Sequence, residues 1–240
     1  MTFAEPHLSA FTASDHHTQG AINSAPVAWA EDLEDVPHRD QLPTAPIDRH
    51  QLWDLCRNPE NPVLFGYVCA MAWGGQEKGP GGRRKVKAAW SQRAKLVPIL
   101  EKLRTAKLPR KEAFESFCDD GLIGSLGVSY FTKLLYFFGE DRTCYIMDQW
   151  TGKSINLLMG LHVVRIYDQS PTRDNKGGNY QAFCEAVDAL SQLIHQSGAE
   201  TEERLMSRRG GSWRNHVKAH YPYDKSALAK AFPHIPLQDF

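Results

Sequence analysis

No two of the five cysteines (Cys56, Cys69, Cys118, Cys144 and Cys184) are close neighbours in sequence. The C-x-x-C pair on which zinc knuckles and thioredoxin-like sites are built is therefore missing. An odd number of scattered cysteines does not make a disulfide framework either. The expectation is reduced thiols in or near the core, with no metal site and no cofactor. Also missing is an apolar run of ~20 residues, the length that spans a bilayer, and a basic stretch leading into a short apolar one. The expected location is the cytoplasm (bacterial cytosol or nucleoid), with no membrane association. No internal repeat is visible, which argues against a solenoid or propeller. Net charge is absent as well, since 28 Lys and Arg balance 28 Asp and Glu.

That zero conceals an asymmetry. Residues 1–50 hold eight acids and two bases, whereas residues 83–111 hold eleven bases and a single acid, Glu101. A local cationic surface governs affinity for polyanions more than the total does. The 240 residues suffice for one or two domains with a real core.

The composition divides the chain into a polar, partly flexible arm, 1–46, and a helical body, 47–240. Within the arm only Val27–Leu33 looks able to pack on the body. A solvated tail is the plain reading of its acids, and shielding of the basic patch the more specific one. In the body, Asp48 to Arg57 predicts a short helix stopped by Pro59 and Pro62. Val63 to Trp73 predicts a buried one. Five glycines in residues 74–82 predict a mobile loop that ends on Arg83, Arg84 and Lys85. Bare glycine amides and cations both suit phosphates, although a flexible crossover needs no ligand. Ala88 to Thr105 reads as a basic helix that Pro98 either kinks or divides in two, and Pro109 opens another. Leu161–Ile166 is short and β-prone. Tyr180 to Ile194 is the clearest amphipathic helix in the chain, a scaffold element. Arg208 to His216 mixes bases, glycines and an aromatic, which suits contact with a backbone or stacking on a base.

The stretch from Gly121 to Gly160 carries the chemistry. Gly124, Ser125 and Gly127 lie in a turn where glycine makes positive φ inexpensive. Tyr130, Phe131, Leu134, Leu135, Phe137 and Phe138 then form a helical stripe containing Lys133, and Gly139 is placed to end it with a left-handed cap. Asp148 stands where an N-cap belongs, ahead of Trp150, Ile155, Leu158 and Met159. The segments GSLGVSYFTKLLYFFG and YIMDQWTGKSINLL resemble the helix-hairpin-helix DNA glycosylases, and most closely their 8-oxoguanine-glycosylase-like branch. Ser125 replaces the first glycine of the usual hairpin. Lys133 lies six residues past Gly127 rather than two, about one helical turn further along the same face.

The resemblance implies a mainly α fold of two helical subdomains with the active-site cleft between them, and no iron–sulfur cluster, since no cysteine follows Cys184. It implies Lys133 as the nucleophile and Asp148 as the catalytic carboxylate. Gly124, Ser125, Gly127, Arg83, Arg84, Lys85, Arg208 and Arg209 become candidate DNA contacts, and Trp73, Tyr136 and Trp150 candidate base-pocket residues. The implied partner is double-stranded DNA with a modified base, bound by a monomer. The base is an oxidised purine or a hypermodified base of phage DNA, as in antiphage members of the superfamily. Each residue also has a plain reading: a lone lysine on an aromatic helix usually snorkels, and an aspartate before a helix usually just caps it. A non-catalytic DNA-binding module and a helical scaffold are the rival functions.

Overall fold

A computed structural model describes residues 1–15, 24–74, 80–119, 126–167 and 170–222. The chain is mainly helical, with twelve α-helices and one two-stranded hairpin among these residues. It divides into an inner unit, Gln19–Cys144, and a terminal unit formed by Met1–Thr18 with Tyr145–Phe240. No described helix is long and apolar enough to cross a membrane, and all five cysteines are free thiols.

The inner unit is built round α4 (Val63–Gly74), in which every residue from Phe65 to Trp73 is buried. A helix that is apolar all round has to be covered on all sides. Packed on it are α2 (Pro26–Ala30), α3 (Arg49–Arg57), α6 (Arg93–Thr105) and α8 (Val128–Phe138). Asp48 opens α3 with a reciprocal capping box to Gln51. The Arg57 guanidinium donates to the carbonyls of Arg104 and Phe138, so one cation satisfies the C-terminal ends of α6 and α8 together. On α8, Phe131 stacks with Phe117 of α7 (Arg110–Asp119) at 5.0 Å.

Three local expectations are corrected in this unit. The glycine-rich loop gives way to α5 (Pro80–Trp90) as early as Pro80, because proline at a first helical position needs no partner for its nitrogen. The basic helix breaks at Ser91–Gln92, and Pro98 lies inside α6. The Trp90 indole donates to the Glu34 carbonyl at 2.8 Å, which fixes the end of α5 before the turn. Gly139 is extended, with φ −63° and ψ 151°, rather than left-handed. A β-carbon there would lie 2.6 Å from the Leu135 carbonyl oxygen, so glycine is required for close approach. The turn at Gly124 and Ser125 lies outside the described residues. Gly127, which is described, has φ +76° and immediately precedes α8.

The terminal unit holds α1 (Glu5–Thr12), α9 (Gln149–Met159), the hairpin β1 (Ile166–Tyr167) and β2 (Ser170–Pro171), α10 (Gly177–Leu193), α11 (Gly198–Met206) and α12 (Ser212–His220). The first helix falls in the segment read as a polar arm. Its one buried residue, Phe11, is 0% exposed and meets Trp213 edge-on. The Arg204 guanidinium donates to the carbonyls of Phe11, Thr12 and Ser14 and so closes its C-terminal end. His7 of α1 hydrogen-bonds His216 of α12 at 3.0 Å. None of these partners is local in sequence, so no periodicity announces the helix. On α10 the expected stripe of Tyr180, Phe183, Val187 and Leu190 is fully buried, but Leu193 is 51% exposed. Asn156 of α9 donates to and accepts from Val164, which anchors the approach to the hairpin.

Candidate active site

Lys133 belongs to the inner unit and Asp148 to the terminal unit. Lys133 is 7% exposed on α8. Its Nζ donates to the Ser129 carbonyl one turn back, at 3.0 Å, and lies 5.0 Å from the centre of the Tyr130 ring. The exposed Lys85 brings a second ammonium within 5.9 Å of the same ring. The Lys133 side chain runs along the end of α4, where a β-carbon on Gly74 would fall 2.4 Å from its Cδ and 2.5 Å from its Cε. Gly74 thus forms the floor of the lysine's trough. Gly74→Ala is expected to expel the side chain from this path while leaving the α3–α4–α8 core intact. Mass-spectrometric mapping of Lys133 acylation in the two proteins checks it, with faster labelling expected in the variant.

Trp73 and Tyr136 are each 2% exposed in the same unit. The Arg49 guanidinium lies 4.2 Å over the Tyr136 ring and 5.9 Å from the Trp73 ring, and Trp73 meets Phe137 edge-on. An arginine that is 6% exposed between two aromatic faces went unnoticed in the sequence, where Arg49 looks like a first-turn surface residue. Arg84 and Lys85 of α5 are exposed, as are Arg208 and Arg209 ahead of α12. The Arg83 side chain lies outside the description.

Asp148 caps α9 as its spacing predicts. Its Oδ1 accepts from the backbone N–H groups of Trp150 at 2.7 Å and Thr151 at 3.0 Å. In return the Asp148 N–H donates to the Thr151 hydroxyl at 2.9 Å, and that hydroxyl donates to the Ile146 carbonyl. The carboxylate is therefore held by one oxygen. Among the described residues no hydrogen bond reaches Oδ2. Half-buried Trp150 sits two residues on, with the Arg214 guanidinium 4.4 Å from its ring centre.

Lys153 completes this cluster, and sequence reasoning missed it. It is 2% exposed, with Nζ 5.3 Å from the Trp150 ring and 5.7 Å from the Tyr221 ring. Burial pulls its pKa from 10.5 down to about 8, against the opposing charge of Asp148. Arg214 is shifted down for the same reason, and Asp148 again opposes the shift. The available signal was the three-residue spacing from Trp150 to Lys153, which puts both on one face of α9. Trp213, the aromatic of the Arg208–His216 stretch that suited stacking on a base, is core instead: it is 1% exposed and its indole donates to Ser154 Oγ at 2.9 Å.

A carboxylate pinned by a helix N-terminus stays oriented as charge develops nearby, which is the requirement for stabilising an oxocarbenium-like sugar. No curated protein sequence and no solved structure matches the chain. The family model described as "Putative 8-oxoguanine DNA glycosylase OGG-like protein" matches residues 15–206, more than half of the chain and inclusive of Lys133, Asp148 and Lys153. The chain belongs to that OGG-like family.

Proposed function

We propose that this protein is a DNA glycosylase that extrudes a modified nucleotide from duplex DNA and cleaves its N-glycosidic bond. The observation that carries this reading is Asp148, whose Oδ1 is fixed by two backbone N–H groups while no hydrogen bond among the described residues reaches Oδ2, in a chain matched to the OGG-like family. The turn at Gly124, Ser125 and Gly127, with Arg83, Arg84, Lys85, Arg208 and Arg209, contacts the DNA backbone. Trp73, Tyr136 and Trp150 are the aromatic candidates for the base pocket. Extrusion costs a few kcal/mol of stacking and pairing, roughly, and least for a damaged base.

Two chemical routes follow. In one, the Lys133 amine gives up its bond to the Ser129 carbonyl and attacks C1′ as the base departs with the bonding electrons. The amine nitrogen then loses a proton, the C1′–O4′ bond breaks with O4′ taking up a proton as the sugar ring opens, and the imine so formed permits loss of a C2′ proton with β-elimination of the 3′ phosphate. In the other, Asp148 orients water at C1′ and an intact abasic site remains. The substrate is an oxidised purine such as 8-oxoguanine, in base excision repair, or a hypermodified base such as glucosylated hydroxymethylcytosine in phage DNA, in antiviral defence. The protein acts as a monomer in the cytosol.

The test incubates the protein with an 8-oxoguanine duplex, with phage DNA carrying glucosylated hydroxymethylcytosine, and with unmodified DNA, in the presence of borohydride. Release of one modified base is expected. A trapped protein–DNA adduct that disappears in Lys133→Gln assigns the amine route, whereas release without an adduct assigns water. Release of no base from any substrate overturns the reading and leaves the non-catalytic DNA-binding module.

A further inference from the structure

A carboxylate that serves a nucleotide in DNA faces an electrostatic difficulty, because the phosphodiesters on either side of that nucleotide repel it. The surroundings of Asp148 answer the difficulty. Within the terminal unit, Lys153, Arg214 and Lys218 lie 5.3 Å, 4.4 Å and 5.9 Å from the centre of the Trp150 ring. Lys218 is exposed and Arg214 half-buried, so both of these cations are open to a ligand, whereas Lys153 is buried beneath the ring. We propose that Arg214 and Lys218 form a seat beside Trp150 for a phosphodiester of the bound DNA. The proposal rests on DNA being the substrate and names a contact that reading left unassigned.

The seat is preorganised. The Trp213 indole pins α12 to Ser154 of α9, so the helix carrying Arg214 and Lys218 is fixed to the helix carrying Asp148. The Arg214 Nη2 donates to the carbonyls of Met206 and Ser207, which sets the plane of the guanidinium. Its Nε is buried with no hydrogen-bond partner among the described residues. Lys218 follows Arg214 by four residues, on the same face of α12, and is exposed. Arg208 and Arg209, both exposed, extend the positive surface just ahead of the helix. A fixed fork and a mobile ammonium are complementary ways to hold one phosphate.

The experiment measures affinity by fluorescence anisotropy for a duplex carrying a tetrahydrofuran abasic analogue, which has no base to lose, across a sodium chloride series. Wild-type affinity should fall linearly on a log–log scale. Lys218→Gln and Arg214→Gln should each reduce the slope by about one and weaken binding roughly three- to tenfold at 0.15 M salt. Lys176→Gln, which removes an exposed lysine ahead of α10, should leave the slope unchanged. Lys218 is exposed, so its variant tests the seat even if Arg214→Gln fails to fold. Unchanged slopes in both seat variants overturn the proposal. So does an equal loss in Lys176→Gln, which would mean a diffuse field only. Base release by wild type alongside unchanged slopes sinks the seat and leaves the glycosylase reading standing. Reduced slopes with no base released from any DNA do the reverse. A melting temperature raised by sodium pyrophosphate in a protein that binds no duplex overturns the DNA source in favour of a small phosphorylated ligand.

Discussion

Asp148→Asn is expected to slow base release by about 10²- to 10³-fold while leaving α9 capped. The reason lies in how the carboxylate is divided. Oδ1 serves the N–H groups of Trp150 and Thr151, and an asparagine carbonyl oxygen caps a helix about as well. What is lost is the negative charge, and removing one preorganised electrostatic contact at a reacting centre typically costs that much. Asp148→Ala removes cap and charge together and should cost about 1 kcal/mol more in stability. Lys153 and Arg214 both feel the Asp148 charge, so the asparagine variant also leaves Lys153 less supported. That small penalty should vanish in a double variant with Lys153→Met, because residues sharing one electrostatic cluster are not additive. The same variant should bind DNA more tightly than wild type, since a repulsive charge is gone. Single-turnover base release, denaturant melts and anisotropy check the three parts. An asparagine variant that releases base at the wild-type rate would remove Asp148 from the chemistry.

Lys153→Met is expected to stabilise the protein at pH 7 by up to about 3 kcal/mol, the equivalent of lowering the lysine pKa from 10.5 to about 8. The sign follows from proton binding. Below about pH 8 both folded and unfolded chains carry the charge, and the folded chain bears the full cost of burying it. Between about 8 and 10.5 the unfolded chain binds more protons than the folded one, so stability contributed by this group rises with pH. Above 10.5 the cost is gone. The gain of the methionine variant should therefore be largest at neutral pH and shrink as pH passes from 8 to 10.5. Thermal melts of both proteins at pH 7, 8, 9 and 10 read it directly, at roughly 2–4 °C per kcal/mol for a chain of this size. An advantage that is flat across that range would mean Lys153 does not titrate there. A buried charge that destabilises the fold beside a candidate catalytic carboxylate is the pattern expected where stability yields to function.

The candidate site was legible in the sequence where it depends on neighbours along the chain. Asp148 announces itself as an N-cap because the apolar period resumes behind it, and the cap forms with the two N–H groups the spacing offers. Gly127 was placed at a turn and adopts positive φ there. The aromatic stripe of α8 turns Lys133 inward, to 7% exposure, against the ordinary habit of a lysine on such a helix. The two misplaced boundaries, at Ser91–Gln92 and Pro80, arose because proline was weighed by propensity. One proline starts a helix, where it is harmless, and the other sits inside one that packing stabilises.

The sequence by itself determined most helices of the body, the cap that orients Asp148 and the membership of the cationic segments, because these follow from contacts three or four residues apart. Tertiary structure alone decided the company each charged group keeps. It set Gly74 beneath Lys133, Arg49 over Tyr136, and Arg214 over Trp150 from sixty-four positions away. It also selected Lys153 for burial among several lysines that look alike in the chain. The physical reason is that desolvation and cation–ring contact depend on distance in space, and no period in a sequence encodes which distant helix will cover a given face.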